Sequence, residues 1–435
     1  MALLAGAGRA DITPAPGTPH AGWGAQTHQR GAGADLPLYA TALYLSDGEC
    51  QAAIVDIDTI GLDASQTVQV LDAVEKLTGI AKDNIRLAAS HGHSGPNTFR
   101  FSLITEGRDM IDAYLRDLPL RIAGALWQAR NNAVAARCGA GSGLCDINLN
   151  RRLKLKDGRV VVGRNWDGPV DRTVRVVRFD DESGNVVATI VHYPCHPTIM
   201  GWTNRLFCPD YPGVVRKVVE EQLGGTCLFL QAAAGGVGPR RGFTADLRVY
   251  RQLGTILGLE ASRVALGIDT AAPDAPVLRM RSVPVPLPVR PLPPADELER
   301  ELDSLRTELY RLSRQGSEEQ LRAVSADAAR MEFKATTARR YAGLTHIPWQ
   351  LQVIRAGCAA LVSVPGEPSW EIGKEIASAS PFAHTLFSGY SNGGFGYLPF
   401  YDVEQGGYEM EFTTFSAEAP RVLIAAALST LHEIA

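Results

Sequence analysis

Two imidazoles stand two residues apart in His91-Gly92-His93-Ser94-Gly95-Pro96. Histidine is the commonest metal ligand and the side chain most readily tuned near neutral pH. The apolar run Ile85 to Ala89 precedes the pair and reads as a buried strand, and a Gly-Pro turn follows. Loops at strand ends are where α/β enzymes place their chemistry. A second such place is His192-Tyr193-Pro194-Cys195-His196-Pro197-Thr198. The chain has nine histidines. Four of them fall in these two segments, so a shared site is the sharper reading of the pattern. The plainer reading is that a lone histidine is a satisfied core or surface residue.

A carboxylate joins them at Pro365-Gly366-Glu367-Pro368, after the strand-like run Ala359 to Val364. Its plainer role would be to favour the start of a helix through the dipole. Gly389-Tyr390-Ser391-Asn392-Gly393-Gly394-Phe395-Gly396-Tyr397 is Gly-rich with a phenol at each end, which suits either a ligand-facing loop or simple packing. Histidines with one glutamate and no cysteine would make a nitrogen–oxygen site suited to zinc with a position left for water. Other motifs carry less. Gly6-Ala7-Gly8 lacks the dinucleotide spacing, Gly235-Gly236-Val237-Gly238 has no P-loop lysine, and Ser94 is not in a nucleophile elbow.

The elements that must position these residues alternate. Strands are expected at Ala40 to Leu45, Ala52 to Asp58, Asp83 to Ala89, Val174 to Phe179, Val186 to His192 and Thr226 to Gln231. Helical spacing runs over Ser65 to Leu77, Tyr114 to Ala129, Pro212 to Leu223 (with Asp210 as N-cap) and Leu247 to Ala265. The fold class is therefore α/β, with a mixed β-sheet core, flanking helices and hairpins within the sheet. Residues 283–294 read as an extended Pro-rich segment. Beyond it Leu298, Leu302, Leu305, Leu309 and Leu312 form a two-heptad seam, Gly316 breaks it, and a second helix runs from about Glu318 to Tyr341. This inserted helical hairpin, 295–342, either packs on its own domain or serves as a homodimer arm. No internal repeat or clean boundary divides the chain, which is expected to be one domain over 1–435.

The 435 residues are 45% apolar and 21% charged, with formal net charge −4. That balance gives no reason to expect nucleic acid or an anionic membrane as partner. No apolar run reaches the ~18–20 residues of a transmembrane helix, and the N-terminus lacks a basic, apolar secretory pattern. A cytoplasmic location is expected. Seven cysteines without CxxC pairs argue against a disulfide framework and against a thiolate zinc knuckle.

Taken in order, these segments resemble the N-terminal catalytic domain of the neutral/alkaline non-lysosomal ceramidase family. Gly6-Ala7-Gly8-Arg9-Ala10-Asp11-Ile12-Thr13-Pro14 is similar to its opening motif, and Gly22-Trp23-Gly24 to its next glycine turn. Ser90-His91-Gly92-His93-Ser94-Gly95-Pro96 matches its S-H-T-H-S-G-P signature with Gly for Thr, and His196-Pro197 its second histidine segment. Pro365-Gly366-Glu367 matches its P-G-E turn, and Tyr397 with Tyr408-Glu409 falls where the family has a Tyr followed by a Tyr-Glu pair. The resemblance implies a Zn2+ ion held by His91, His196, Glu367 and Tyr397. It also implies that His93, Arg151 (in Asn150-Arg151) and Tyr408 line the reactive carbonyl.

Two departures bear on substrate. The family's G-D-V-S-P segment is here Gly235-Gly236-Val237-Gly238-Pro239, with glycine for both the Asp and the Ser. The chain also ends at 435, so a shorter, divergent member without the C-terminal immunoglobulin-like domain is expected. The resemblance thus implies a zinc-dependent hydrolase that uses metal-activated water on the amide (N-acyl) bond of a small-molecule or lipid-like acyl substrate. His93 would be general base and then acid, with Arg151 and Tyr408 on the oxyanion. The alternatives are an esterase, lactonase or lyase on the same site, or a non-catalytic ligand-binding relative.

Overall fold

The computed structural model describes residues 2–272, 278–394, 396–400 and 405–435. Its centre is an eight-stranded mixed sheet. From one edge the order is Thr226–Gln231, Val186–Tyr193, Thr173–Asp181, Val134–Leu144, Leu4–Asp11, Tyr39–Ser46, Gln51–Ile57 and Ile85–Ala89. All inner pairings are antiparallel, and only the two outermost pairs are parallel. Alternation along one strand shows why the sheet sits between two layers. In Tyr39–Ser46, Ala42 and Tyr44 face the helices Ala64–Thr78 and Arg108–Asn131, whereas Leu43 and Leu45 face a second sheet. The helices Asp210–Leu223 and Leu247–Leu266 cover the other half of the outer face.

The second sheet has four strands in the order Leu278–Pro288, His346–Ala356, Ala359–Ser363 and Thr385–Ser388. Its last pair is again parallel. Leu278, Ile354, Leu361 and Leu386 pack into the inner face of the large sheet. Segment Ser388–Asn392 then laces together the two edges of that sheet. The Ser388 hydroxyl donates to the Gln231 carbonyl at 2.8 Å, and the Ala89 N–H donates to the Tyr390 carbonyl at 3.1 Å. Three parallel pairs thereby turn their carboxyl ends to one place, where the chain carries His91, His196 and Glu367.

The expected elements are present, with two differences. Leu278–Pro288 is a regular strand despite Pro284, Pro286 and Pro288. It lies at the sheet edge, where a missing N–H costs no ladder bond. Asp210 is not an N-cap. It lies inside the first helical turn at φ 53, and its carboxylate accepts from the Met200 and Tyr211 N–H groups instead. The helices Trp370–Ala379 and Ala419–Glu433 close the far face of the second sheet.

The Leu298–Leu312 seam lies on the helix Ala295–Gln315, which pairs with Glu318–Arg340. Leu298 and Leu302 are buried against Ala328, Met331 and Ala335 of the partner helix. The seam is thus spent within the hairpin. The hairpin also leans on the site's surroundings, through Glu332, which accepts from the Ser102 N–H at 2.7 Å, and through Phe333, whose ring is 4.9 Å from Phe412. No helix among the described residues is long and apolar enough to cross a membrane.

Candidate metal centre

His91 follows the strand Ile85–Ala89 and sits at φ 68, a left-handed conformation that a β-substituted residue rarely adopts. The turn is held by the His91 N–H donating to Thr59 O at 3.0 Å. It is braced by Ser90, which donates to the Asp58 carboxylate at 3.1 Å, and Asp58 in turn is paired with Arg216. This gives Asp58, noted above only as a strand end, a positioning task. His196 arrives from the strand Val186–Tyr193. Glu367 arrives from Glu367–Pro368, which pairs in parallel with Tyr397–Leu398 so that Glu367 and Tyr397 are register partners.

These four side chains converge. Glu367 Oε2 lies 2.9 Å from His196 Nε2 and 3.4 Å from His91 Nε2, and the Tyr397 hydroxyl lies 3.5 Å from His196 Nε2. His93 stands beside them. Its ring centroid is 4.9 Å from that of His91, and the ligand nitrogens of His91, His93 and His196 all lie within 4.8 Å of one another. By distance alone the three imidazoles are a second candidate ligand set.

The hydrogen bonds behind the rings decide their tautomers. Nδ1 of His91 faces the Ile60 carbonyl at 2.7 Å, Nδ1 of His93 that of Gly22 at 2.7 Å, and Nδ1 of His196 that of Ala234 at 2.9 Å. A carbonyl can only accept, so each Nδ1 carries the proton and each neutral ring turns a bare Nε2 lone pair inward. For His91 and His196 that lone pair confronts the Glu367 carboxylate, which is also only an acceptor. Burial opposes extra protons here: desolvation lowers the His196 pKa to about 4 and holds His93 well below the usual imidazole value. Burial alone would push the Glu367 carboxyl up; what holds it well below the usual range is positive charge on the His91 and His196 side, which neutral rings do not supply by themselves. Acceptors facing acceptors in a buried pocket are what a bound divalent cation resolves. The donor set of nitrogen and oxygen atoms fits zinc chemistry.

A second layer adjoins it. Arg151, on the strand Asn148–Lys154, donates from Nη2 to the Tyr397 phenol oxygen at 3.1 Å and from Nε to Glu409 at 2.9 Å. Glu409 also accepts from Arg152 at 2.7 Å. Burial and the nearby Glu367 push the Tyr397 phenol well above its ordinary pKa, while Arg151 works against that rise. The Tyr408 ring is 5.8 Å from that of Tyr397 and remains partly exposed, which puts it on the open side. Glu409 had no assigned role in the sequence reading; only its place next to Tyr408 marked it.

Two residues of the starting motifs do other things. His192 stays in its strand, and its Nε2 faces the Phe387 carbonyl at 2.8 Å, outside the cluster. Tyr390 packs its ring 4.3 Å from that of His91, with its hydroxyl buried and unpartnered. Phe395 of the same Gly-rich stretch lies outside the described residues.

A sequence model of the neutral/alkaline non-lysosomal ceramidase N-terminal region matches residues 3–237. The chain belongs to the neutral/alkaline non-lysosomal ceramidase family. Among its relatives are neutral ceramidase A of Dictyostelium discoideum, 28% identical over 46% of this chain, and the neutral ceramidase of Pseudomonas aeruginosa, 27% identical over 54% of it. The matches span 28% and 36% of those relatives' own lengths. The crystal structure of the Pseudomonas aeruginosa neutral ceramidase superimposes with a TM-score of 0.73 at 18% identity, covering 100% of this chain and 75% of that one. A second structure, a ceramidase complexed with C2, gives 0.72 at 18% identity. The ceramidase fold thus extends through the whole chain, including the segments beyond residue 237 that supply Glu367 and Tyr397.

The two glycines that depart from the family's pattern sit directly against this centre. Val237–Pro239 pairs with Asn148–Lys154, and the Gly236 carbonyl accepts from the Arg151 N–H at 2.9 Å. Gly236 is at φ 79. A β-carbon at Gly238 would lie 3.5 Å from Arg151 Cβ, so a side chain there would rest on the arginine that holds Tyr397.

Proposed function

We propose that this chain is a metal-dependent hydrolase of an amide (N-acyl) bond, with Zn2+ as the metal and a ceramide-like or smaller acyl amide as substrate. The family's name denotes the amide bond of ceramide. The observation that carries the reading for this chain is the mutual confrontation of the His91, His196 and Glu367 lone pairs around one point, with Tyr397 beside them. A divalent cation held by these four residues would polarise a carbonyl and make water nucleophilic at neutral pH.

The other residues have roles that their partners support. His93 is kept neutral by burial and by the neighbouring imidazoles His91 and His196, and its Nδ1 is fixed on Gly22. Its unpartnered Nε2 takes a proton from the attacking water and passes it to the leaving nitrogen. Arg151 is anchored by Glu409 and stabilises negative charge developing on the carbonyl oxygen, with the Tyr408 hydroxyl as a second donor. A well-placed donor of this kind is worth ~3–4 kcal/mol. Gly236 and Gly238 remove the family's Asp and Ser from the wall next to Arg151. This favours a substrate with polar groups placed differently from ceramide's.

The test is a panel of N-acyl amides with matched esters and lactones, assayed on protein of known metal content. Hydrolysis of amides, abolished by chelation and restored by Zn2+, supports the reading. Turnover of esters or lactones alone would replace it by the esterase alternative, and full activity after complete metal removal would refute it.

A further inference from the structure

Beside His93 stands a cluster of three large rings that the mechanism does not use. The Trp23 ring lies 4.9 Å from that of His93. Trp202 and Phe243 pack edge-on against Trp23 at 5.9 and 5.5 Å and lie 5.9 Å from each other, at 30°. Phe243 keeps 37% of its surface exposed. The Trp23 indole N–H is buried and has no acceptor. A tryptophan donor that is buried ordinarily finds a partner.

The rings are carried by the same segments that hold the catalytic groups. Gly22, next to Trp23, supplies the carbonyl that fixes His93. The loop leaving His196 bears Trp202. It is tied to the Phe243 loop by Phe243 N–H to Thr198 O at 3.1 Å, Thr244 N–H to Ile199 O at 3.0 Å and Gly201 N–H to Thr244 O at 2.8 Å. Phe243 itself is held at φ 58, a costly conformation for a bulky residue. Gly201 is required beneath it, since a β-carbon there would come within 2.6 Å of the Phe243 backbone. The backbone thus bears strain to keep an aromatic ring in a partly exposed position.

Charge narrows what such a wall receives. The two loops carry Arg205, Arg240 and Arg241; Arg240 is paired with Asp146 at 3.0 Å and Arg241 donates to Gln252 at 3.1 Å, which leaves Arg205 as the arginine of these loops without an ion pair among the described residues. That one free cation beside the rings disfavours a cationic guest. We infer that Trp23, Trp202 and Phe243 are specificity-determining residues that receive a neutral aryl group on the amine side of the scissile amide. The amine side is assigned because His93, which touches Trp23, delivers the proton to the leaving nitrogen. That assignment rests on the function proposed above.

The experiment compares the octanoyl amides of tyramine, of hexylamine and of a trimethylammonium-bearing amine. Wild type should favour the tyramine amide over the other two by at least about tenfold in kcat/KM, which is the size expected of one or two ring–ring contacts. Trp202→Ala and Phe243→Ala should each reduce that preference about tenfold, mainly through KM, while Trp202→Phe retains most of it. Calorimetry with 4-ethylphenol, which needs no turnover, should show binding to wild type that weakens at least fivefold in both alanine variants. Unchanged selectivity and unchanged 4-ethylphenol binding in the folded variants would overturn the inference. Ring-dependent binding of 4-ethylphenol without hydrolysis of any amide would leave the wall standing and refute the amidase reading instead.

Discussion

Glu367 and Tyr397 are register partners across a two-residue parallel bridge, so one backbone pairing delivers a carboxylate and a phenol to the same imidazole, that of His196. The bridge joins segments thirty positions apart in sequence. It makes the oxygen half of the candidate metal site a single rigid unit.

That unit predicts the response of metal binding to substitution. Purified protein should hold about one Zn2+ per chain. Glu367→Ala should weaken it by more than the ~10–100-fold typical of residues that only support a ligand. Metal retained during dialysis against a competing chelator measures this, with circular dichroism to show that the variant is folded. Wild-type retention in Glu367→Ala would exclude the carboxylate from the ligand set.

His93 separates the two ligand sets. If His91, His196, Glu367 and Tyr397 hold the metal, His93→Ala should keep it and lose ~10²–10⁴-fold in kcat, the usual worth of a general acid–base. If the three imidazoles hold it, the same variant should lose metal and activity together. Metal content and single-turnover rate on one preparation decide between them.

Arg151 is placed by Glu409, and the pair predicts a rate effect without collapse of the fold. Arg151→Lys offers one ammonium for two partners that the planar guanidinium serves at once. We expect a loss of ~10²–10³ in kcat with a smaller change in KM. Losing one member of a buried ion pair commonly costs ~3–5 kcal/mol. Here Arg152 still neutralises Glu409, so the stability loss should fall below that range. Urea denaturation and steady-state kinetics test both halves, and unaltered kcat would remove Arg151 from the reaction.

His192 supplies a pH test away from the metal. Burial, aided by nearby Arg175, lowers its pKa to about 3. The unfolded chain therefore binds this proton near pH 6.5 while the folded chain resists it. The stability contributed by neutral His192 is complete above pH ~6.5 and is lost as pH falls toward 3, at about 1.4 kcal/mol per unit. The stability difference between wild type and His192→Asn should shrink at that slope on acidification below neutrality. Because it is a difference between two chains, it cancels the opposing effect of Asp210, whose pKa burial raises to about 7. A difference that stays constant from pH 7 to 4 would contradict the assignment.

Much of this was legible in the chain, and the limits have physical causes. His91, His196 and Glu367 announce themselves because each follows a strand-like apolar run. Burial of strands is written locally, in periodicity and turn residues. That Ser388–Asn392 closes the sheet's two edges on each other is not local, and no spacing encodes it. The prolines of Leu278–Pro288 masked a strand whose edge position only the assembled sheet reveals. Trp23 read as part of a glycine turn, since its partners lie 179 and 220 positions away, at Trp202 and Phe243. Arg151 and Tyr408 entered through family likeness alone. The anchoring of Arg151 by Glu409 came from the three-dimensional arrangement.

The glycines at 236 and 238 lead to the last prediction, because their backbones differ. Gly238 is free of the left-handed region, and its missing β-carbon would meet only the Arg151 side chain, at 3.5 and 3.8 Å. Gly238→Ser should therefore fold as wild type. Its hydroxyl would restore a polar group against Arg151 and shift selectivity toward ceramide over simple acyl amides. Gly236 sits at φ 79, where any side chain adds ~1 kcal/mol of strain, so Gly236→Asp should lower stability by about that amount. If Gly238→Ser left the ratio of ceramide to acyl-amide turnover untouched, Gly238 would have no part in choosing the substrate. A shift in that ratio at unchanged melting temperature would show that the serine's absence tunes recognition rather than folding.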